Sequence, residues 1–298
     1  MEAPNYNTQQ VTWKGFEDAV YEECQRVYHF RDAEISKNTH IVGKFSGVKR
    51  QIDVLIKLMK DDAITSKIVV ECKHYGKKID VKIVESFIGC LEDVGADKGI
   101  IVSEKGFTKA AISRAYKGKD DIEVDILNLG ELQQFHAQGA FPFAGDSALA
   151  LSAPFGWIID GTRRGFAPAV LYRRGIPFEE ATEKEKEWMY VQFWSKKTEI
   201  HTLEGLIEVQ NESLKDQDEK AEISVFEMEG LMVRQAFLPT YPTPEITVFR
   251  EFDWFIAFVV LYCPGCYIDR DTRKVVEMLN EAIPMHVKHK RSKFASEN

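Results

Sequence analysis

Two short apolar runs, 51–56 and 67–73, constrain this chain more than any other stretch. The first reads Gln51-Ile52-Asp53-Val54-Leu55-Ile56, and the second Lys67-Ile68-Val69-Val70-Glu71-Cys72-Lys73, with a polar turn through Lys60-Asp61-Asp62 between them. Their β-branched content and charged borders predict two neighbouring strands. Side chains alternate across a strand, so Glu71 and Lys73 share one face and Val70 and Cys72 the other. An anion and a cation project side by side from an apolar strand, with Asp53 on the strand before. Such an arrangement builds a poor core and a good metal site.

The residue types explain the chemistry. Mg²⁺ takes hard oxygen ligands at about 2.1 Å, usually one or two carboxylates completed by water and phosphate. Asp53 and Glu71 supply the carboxylates, and the Cys72 main-chain carbonyl lies between the functional side chains. Lys73 would stand beside an attacking water and stabilise charge in the transition state. A blander reading of Glu71 and Lys73 is a salt bridge on an edge strand. Acid-x-Lys triplets also occur at Asp80-Val81-Lys82 and Asp218-Glu219-Lys220, but at a helix start and in a polar run.

Around this pair the chain has a regular order. Phe16, Ala19, Val20, Cys24, Val27 and Tyr28 recur at helical spacing from Trp13 to about Phe30. Glu17 falls at the edge of that buried face, where it could reach a strand-borne ion or simply complement the helix dipole. Residues 33–42 read as a strand and 43–47 as a turn. Asp80 is an N-cap candidate for a helix to about Val94. Lys98 to Ser103 reads as a strand buried on both faces, Phe107 to Tyr116 as a helix, and Ile122 to Leu127 as a strand. A short helix is expected over 130–138.

Several ordered motifs give this stretch a family likeness. They are Phe16-Glu17, Gly43 through Gly47-Val48-Lys49-Arg50-Gln51-Ile52-Asp53, Val70-Glu71-Cys72-Lys73, Val84-Glu85-Ser86-Phe87, Gly95-Ala96-Asp97-Lys98-Gly99-Ile100-Ile101-Val102-Ser103 and Gly106-Phe107-Thr108. Together they resemble the Mrr-like restriction endonucleases, a branch of the PD-(D/E)xK nuclease superfamily, over roughly residues 12–130. Many Mrr-like proteins carry Gln where this chain has Glu71, so Glu71 is nearer the superfamily pattern. The resemblance implies an α/β fold with a mixed sheet and an αβββαβ core. It also implies a Mg²⁺-dependent DNA endonuclease, with Mn²⁺ as a substitute, in bacterial restriction or antiphage defence. By the same resemblance Asp53, Glu71 and the Cys72 carbonyl bind metal, Lys73 assists the water, and Glu17 is a second-metal or outer ligand. A nuclease fold that binds DNA or a partner without cutting, and a Holliday-junction-type resolvase, are the alternatives.

Charge decides where DNA could bind. The chain has 298 residues and a formal net charge of −8. Up to Gly130 it holds 20 Lys and Arg against 21 Asp and Glu, whereas the remainder holds 19 against 26. A near-neutral nuclease half can hold DNA if its cations cluster. Lys49, Arg50, Gln51, Lys77 and Lys78 lie beside the proposed centre, and Thr108 near a helix start is a phosphate-contact candidate. By the same resemblance the partner is expected to be double-stranded DNA.

The domains are expected as 1–138, a Gly/Ala/Ser/Pro-rich linker at 139–154, and a second, smaller α+β domain at 155–298. In that domain strands are expected at Val191–Trp194, Ile223–Phe226, Ile246–Phe249 and Trp254–Tyr262, with helices at Thr182–Met189 and Asp271–Ile283. Its acidity favours a role in sensing a small molecule or protein activator, or in forming a homo-oligomer, over direct DNA sensing. Cys263-Pro264-Gly265-Cys266 lacks the second pair that zinc needs and reads as a turn. The tail His286 to Arg291 reads as a solvated basic end or a phosphate contact. No apolar run reaches the roughly 18 residues of a membrane span, no signal peptide is visible, and five scattered cysteines fit a reducing cytoplasm.

Overall fold

A computed structural model of the chain describes residues 12–28, 32–116, 122–128, 139–174, 178–183, 187–241 and 243–287. The expected helix at 130–138 and most of the basic tail lie outside the described residues. By contacts the chain divides into two units, Met1–Phe135 and His136–Asn298.

Unit 1 follows the order read from its pattern. Helix α1 (Trp13–Val27) is capped by Thr12, whose hydroxyl accepts from Gly15 N. Strands β1 (Ala33–Val42), β2 (Lys49–Lys60) and β3 (Ala63–Lys73) come next, then helix α2 (Val81–Val94), strand β4 (Lys98–Ser103), helix α3 (Lys109–Tyr116) and strand β5 (Glu123–Asn128). The sheet order is β1-β2-β3-β4-β5. The first three strands pair antiparallel, and β3, β4 and β5 pair parallel, so β3 is central and the sheet is mixed. Asp80 caps α2 by accepting from Lys82 N and Ile83 N, and Gly95 ends it in left-handed backbone at φ 63°. The apolar stripe Val84, Phe87, Ile88 and Leu91 packs on Val69, Ile101, Val124 and Ile126 of the sheet.

The β1–β2 hairpin does not lie flat along this sheet. Ile41 and Ile52 pack with the α2 cluster, and the hairpin tip reaches the C-terminal turn of α2. There the buried Asp93 carboxylate accepts from Phe45 N (3.1 Å), Ser46 N (3.0 Å), Ser46 Oγ (2.6 Å) and Arg50 Nε (2.9 Å). These donors, the Ser46 hydroxyl first, hold Asp93 well below the usual carboxylate range. Lys44 N adds a bond to Asp93 O at 2.7 Å. Gly43 permits the approach, since a Cβ there would sit 2.2 Å from Asp93 Oδ2.

Unit 2 is the longer of the two and mostly antiparallel. Its strands are β6 (Gly139–Ala140), β7 (Phe143–Ala144), β8 (Ser147–Ser152), β9 (Trp157–Asp160), β10 (Ala169–Arg173), β11 (Trp188–Ser195), β12 (Glu222–Met228), β13 (Leu231–Phe237), β14 (Glu245–Glu251), β15 (Phe255–Tyr262) and β16 (Ile283–His286). Its helices are α4 (Phe178–Ala181), α5 (Leu203–Gln217) and α6 (Ile268–Glu281). A seven-stranded sheet runs β12-β13-β14-β15-β11-β10-β9, and β16-β8-β6, with β7 beside β8, form a smaller one. Residues of α6 and β8 share a core with one face of the large sheet. On its other face Leu206 and Ile207 of α5 pack against Phe249 and Ile256.

Two expectations change here. The stretch 139–154 carries three strands rather than acting as a bare linker, because Ala148, Leu149 and Leu151 are buried. Of the helix expected over Thr182–Met189, residues 184–186 lie outside the described residues, and Trp188 and Met189 open a strand instead. Met189 and Val191 are buried while Trp188 and Tyr190 turn to the opposite face, a period of two rather than 3.6. The four other expected strands and the 271–283 helix are found, the helix starting at Ile268.

The clamp at Asp93 makes a direct prediction. Gly43→Ala forces a methyl into a carboxylate fixed by four donors, an overpacking that costs about 1–3 kcal/mol. Urea unfolding should show a lowered midpoint at unchanged slope; an unchanged midpoint would mean that the tip is not seated on α2.

Candidate active site

The site forms where β2 leaves β3. The β2–β3 ladder begins at Val54↔Val70, so Asp53 is the first β2 residue past its end. Opposite Asp53 on β1 stands Asn38, in left-handed backbone at φ 51°. The amide of Cys72 is accepted at 2.8 Å by Asp53 Oδ2, a side chain replacing a strand carbonyl. The parallel ladder on the other side continues through Glu71↔Ile101, Cys72↔Val102 and Lys73↔Ser103. A half-open strand end is thereby held rigid on one side and leaves a carboxylate at the fork.

Glu71 and Lys73 project from one face of β3, as their spacing requires, and Lys73 Nζ donates to Glu71 Oε1. The ion pair is real, but it stands on the central strand and not on an edge. From α1, Glu17 comes within electrostatic reach of both Asp53 and Glu71. Burial pushes the pKa of Glu17 up, with repulsion from Asp53, Asp18 and Glu71 adding to it and Lys37 opposing. Burial likewise raises Asp53, against the Cys72 amide and Lys73, and raises Glu71, against Lys73. For Lys73 burial pulls downward, yet the Glu71 carboxylate outweighs it and the net shift is up. Carboxyls whose pKa values burial raises beside one strand fork are candidates for function.

These groups fit a divalent cation by their donor chemistry. Asp53, Glu71 and the Cys72 carbonyl are hard oxygens, and a cation would offset the burial that raises all three carboxyls. Among the described residues no three His, Cys, Asp or Glu side chains already converge into a cage, and Glu71 is turned onto Lys73.

The other sequence candidates divide into exposed and occupied groups. Lys77 and Lys78 are exposed in the loop after β3, and Lys49 and Gln51 are exposed on the hairpin. Arg50 is engaged by Asp93, and the Thr108 hydroxyl accepts from Ala111 N at the start of α3. Cys263 is buried and Cys266 exposed in the 3₁₀ turn Gly265–Tyr267, both as free thiols. Sequence reasoning passed over His74 and Glu104. His74 Nδ1 lies 3.1 Å from Glu104 Oε2, and its ring lies 5.5 Å from that of Phe16. Their one sequence signal is position, each directly following a strand that bears the site.

Residues 8–135 match the Mrr_cat restriction endonuclease family. The first unit carries an Mrr-type restriction endonuclease domain. That assignment implies DNA binding and supports a nuclease function for the Mrr domain. No curated protein matches the chain. Among solved structures, the protein of unknown function AF1548 is 18% identical with a TM-score of 0.28 and 36% of this chain covered. The protein VC1899 from Vibrio cholerae is 16% identical with a TM-score of 0.32, over 41% of this chain and 32% of its own. The DNA modification-dependent restriction endonuclease AspBHI is 12% identical with a TM-score of 0.25, over 45% of this chain and 39% of its own. This chain spans 58% of the length of the first of these. Likenesses at this level bear on no argument made for it. Among the described residues no helix is long and apolar enough to cross a membrane.

The raised carboxyls predict a stability cost. The folded Mrr domain binds protons at Asp53 more tightly than the unfolded chain does. Stability therefore falls as pH rises from the ordinary carboxylate range through the raised folded value. Asp53→Asn keeps an acceptor for Cys72 N and removes the charge. In EDTA at pH 8 its melting temperature should exceed that of the wild type by about 2–4 °C, the shift that roughly 1 kcal/mol produces. The gap should close towards pH 4; a variant less stable at pH 8 would contradict the electrostatic reading.

Proposed function

We propose that this protein is a metal-dependent DNA endonuclease that hydrolyses phosphodiester bonds through the Asp53, Glu71 and Lys73 centre of its Mrr domain. The observation that carries the reading is Asp53 accepting from Cys72 N where the β2–β3 ladder ends, with Glu71 and Lys73 paired on the neighbouring strand β3. Asp53 is fixed through Oδ2, which leaves Oδ1 as the oxygen to present to an ion. Glu71 and the Cys72 carbonyl complete the protein's share, and Glu17 serves as an outer or second-ion ligand. Mg²⁺ is the natural ion for such oxygens, and Mn²⁺ should substitute. When bound, the cation supplies Lewis-acid activation of water and neutralises charge at the scissile phosphate. Lys73, paired with Glu71 on β3, would supply an ammonium to stabilise developing negative charge. Lys49, Gln51, Lys77 and Lys78, which are exposed, are the proposed phosphate contacts.

Restriction or antiphage defence is the proposed setting, with the second unit regulating the first by binding an activator or by pairing copies of the chain. The support is that His136–Asn298 builds a core of its own and that the acidity concentrates there. Full activity of a chain ending near Gln138 would count against that regulation.

Cleavage of supercoiled plasmid tests the central reading. Wild type should nick it with Mg²⁺ or Mn²⁺, lose activity in EDTA, and exceed Asp53→Ala by more than about 100-fold. Equal cleavage by the variant, or cleavage that survives EDTA, would remove the centre from the chemistry.

A further inference from the structure

The loops that follow β3 and β4 are knitted into one rim beside the carboxylates. Glu104 N donates to Lys73 O at 3.4 Å, Ile79 N to Gly106 O at 2.9 Å, and Thr108 N to Ile79 O at 2.9 Å. Ile79 and Phe107 close the rim as a parallel bridge. His74 sits where this rim meets α1. Strand alternation turns it to the Cys72 face, away from Lys73 and towards the helix. Its ring packs on Phe16, which is 1% exposed, with centroids 5.5 Å apart and planes at 39°. Its Nδ1 lies 3.1 Å from Glu104 Oε2.

Phe16 is the residue before Glu17, within the first turn and a half of α1. The ring thus contacts Glu104 on one side of the rim and, through Phe16, that turn of α1. Glu17, the next residue, has its pKa raised by burial and then by Asp53, Asp18 and Glu71, which places it within electrostatic reach of the two strand carboxyls. We propose that His74 is a positioning residue which, braced by Glu104, holds the first turn of α1 so that Glu17 completes the carboxylate set for the cation. This rests on the metal-dependent reading above. His74 touches neither ion nor substrate in this role and acts through Glu17.

The full-length protein and a double-mutant cycle test the inference. Mn²⁺ affinity, measured without DNA from the free-ion electron paramagnetic resonance signal, is read beside plasmid cleavage. His74→Ala should weaken Mn²⁺ binding by about 10-fold, the lower end for groups that orient metal ligands. In a Glu17→Gln background the same change should cost less than about 2-fold, because its target is gone. His74→Phe keeps a ring against Phe16 and should recover most of the affinity. Should His74→Ala fail to fold, Glu104→Gln, at an exposed position, runs the same cycle with a smaller loss that again vanishes with Glu17→Gln. Additive effects of His74 and Glu17, or a folded His74→Phe as weak as His74→Ala, would overturn the inference alone. Mn²⁺ binding that Asp53→Ala leaves intact would overturn the functional reading and the inference with it.

Discussion

A single hydrogen bond organises the first unit: Cys72 N to Asp53 Oδ2. Without an acceptor, the amide of Cys72 would be a buried donor at the end of a broken ladder, and such donors are costly to leave unmade. The carboxylate satisfies it while β2 bends away, so the chain parts from its neighbour and keeps its hydrogen bonding. The bend lets the β1–β2 hairpin wrap over α2, where Asp93 collects its tip. Asp93 and Asp53 are thus the two ends of one device. One pins the hairpin, and the other marks where it opens.

The opening has an electrostatic consequence. Burial is the largest influence on Glu17, Asp53 and Glu71 alike, and it acts against ionisation in each. Lys73 opposes this only at Asp53 and Glu71, and Lys37 only at Glu17. Such frustration is the usual state of a site waiting for a charge, and structural economy alone would have replaced at least one acid with an apolar side chain. Under the proposed metal-dependent function, the pairing of Lys73 with Glu71 is the arrangement a cation would have to displace.

Much of this was written locally in the sequence. Asp53, Glu71 and Lys73 stand out because charged residues interrupt apolar strands, and Asp80 and Gly95 mark α2 by ordinary capping chemistry. The buried strand Lys98–Ser103 is a plain apolar run. The hairpin bend was not legible, because Asp93 binds donors 43 to 48 positions away and no local pattern announces a partner at that separation. The contact of His74 with Glu104 spans 30 positions and was hidden for the same reason. In the second unit, β10 is buried along its whole length, Arg173 included, so it lacks the alternation that reveals a strand. The misread helix near Thr182–Met189 arose where charged residues run up to Trp188 and mask the two-residue period that begins there.

The account stands or falls on whether the three carboxyls hold protons that a cation displaces. Calorimetric titration of the full-length protein with Mn²⁺ near pH 5.5, without DNA and in two buffers of different ionisation enthalpy, measures this directly. The account predicts saturable binding with net proton release, and loss of both in Asp53→Asn. Binding without proton release, or binding of equal strength by the variant, would contradict it.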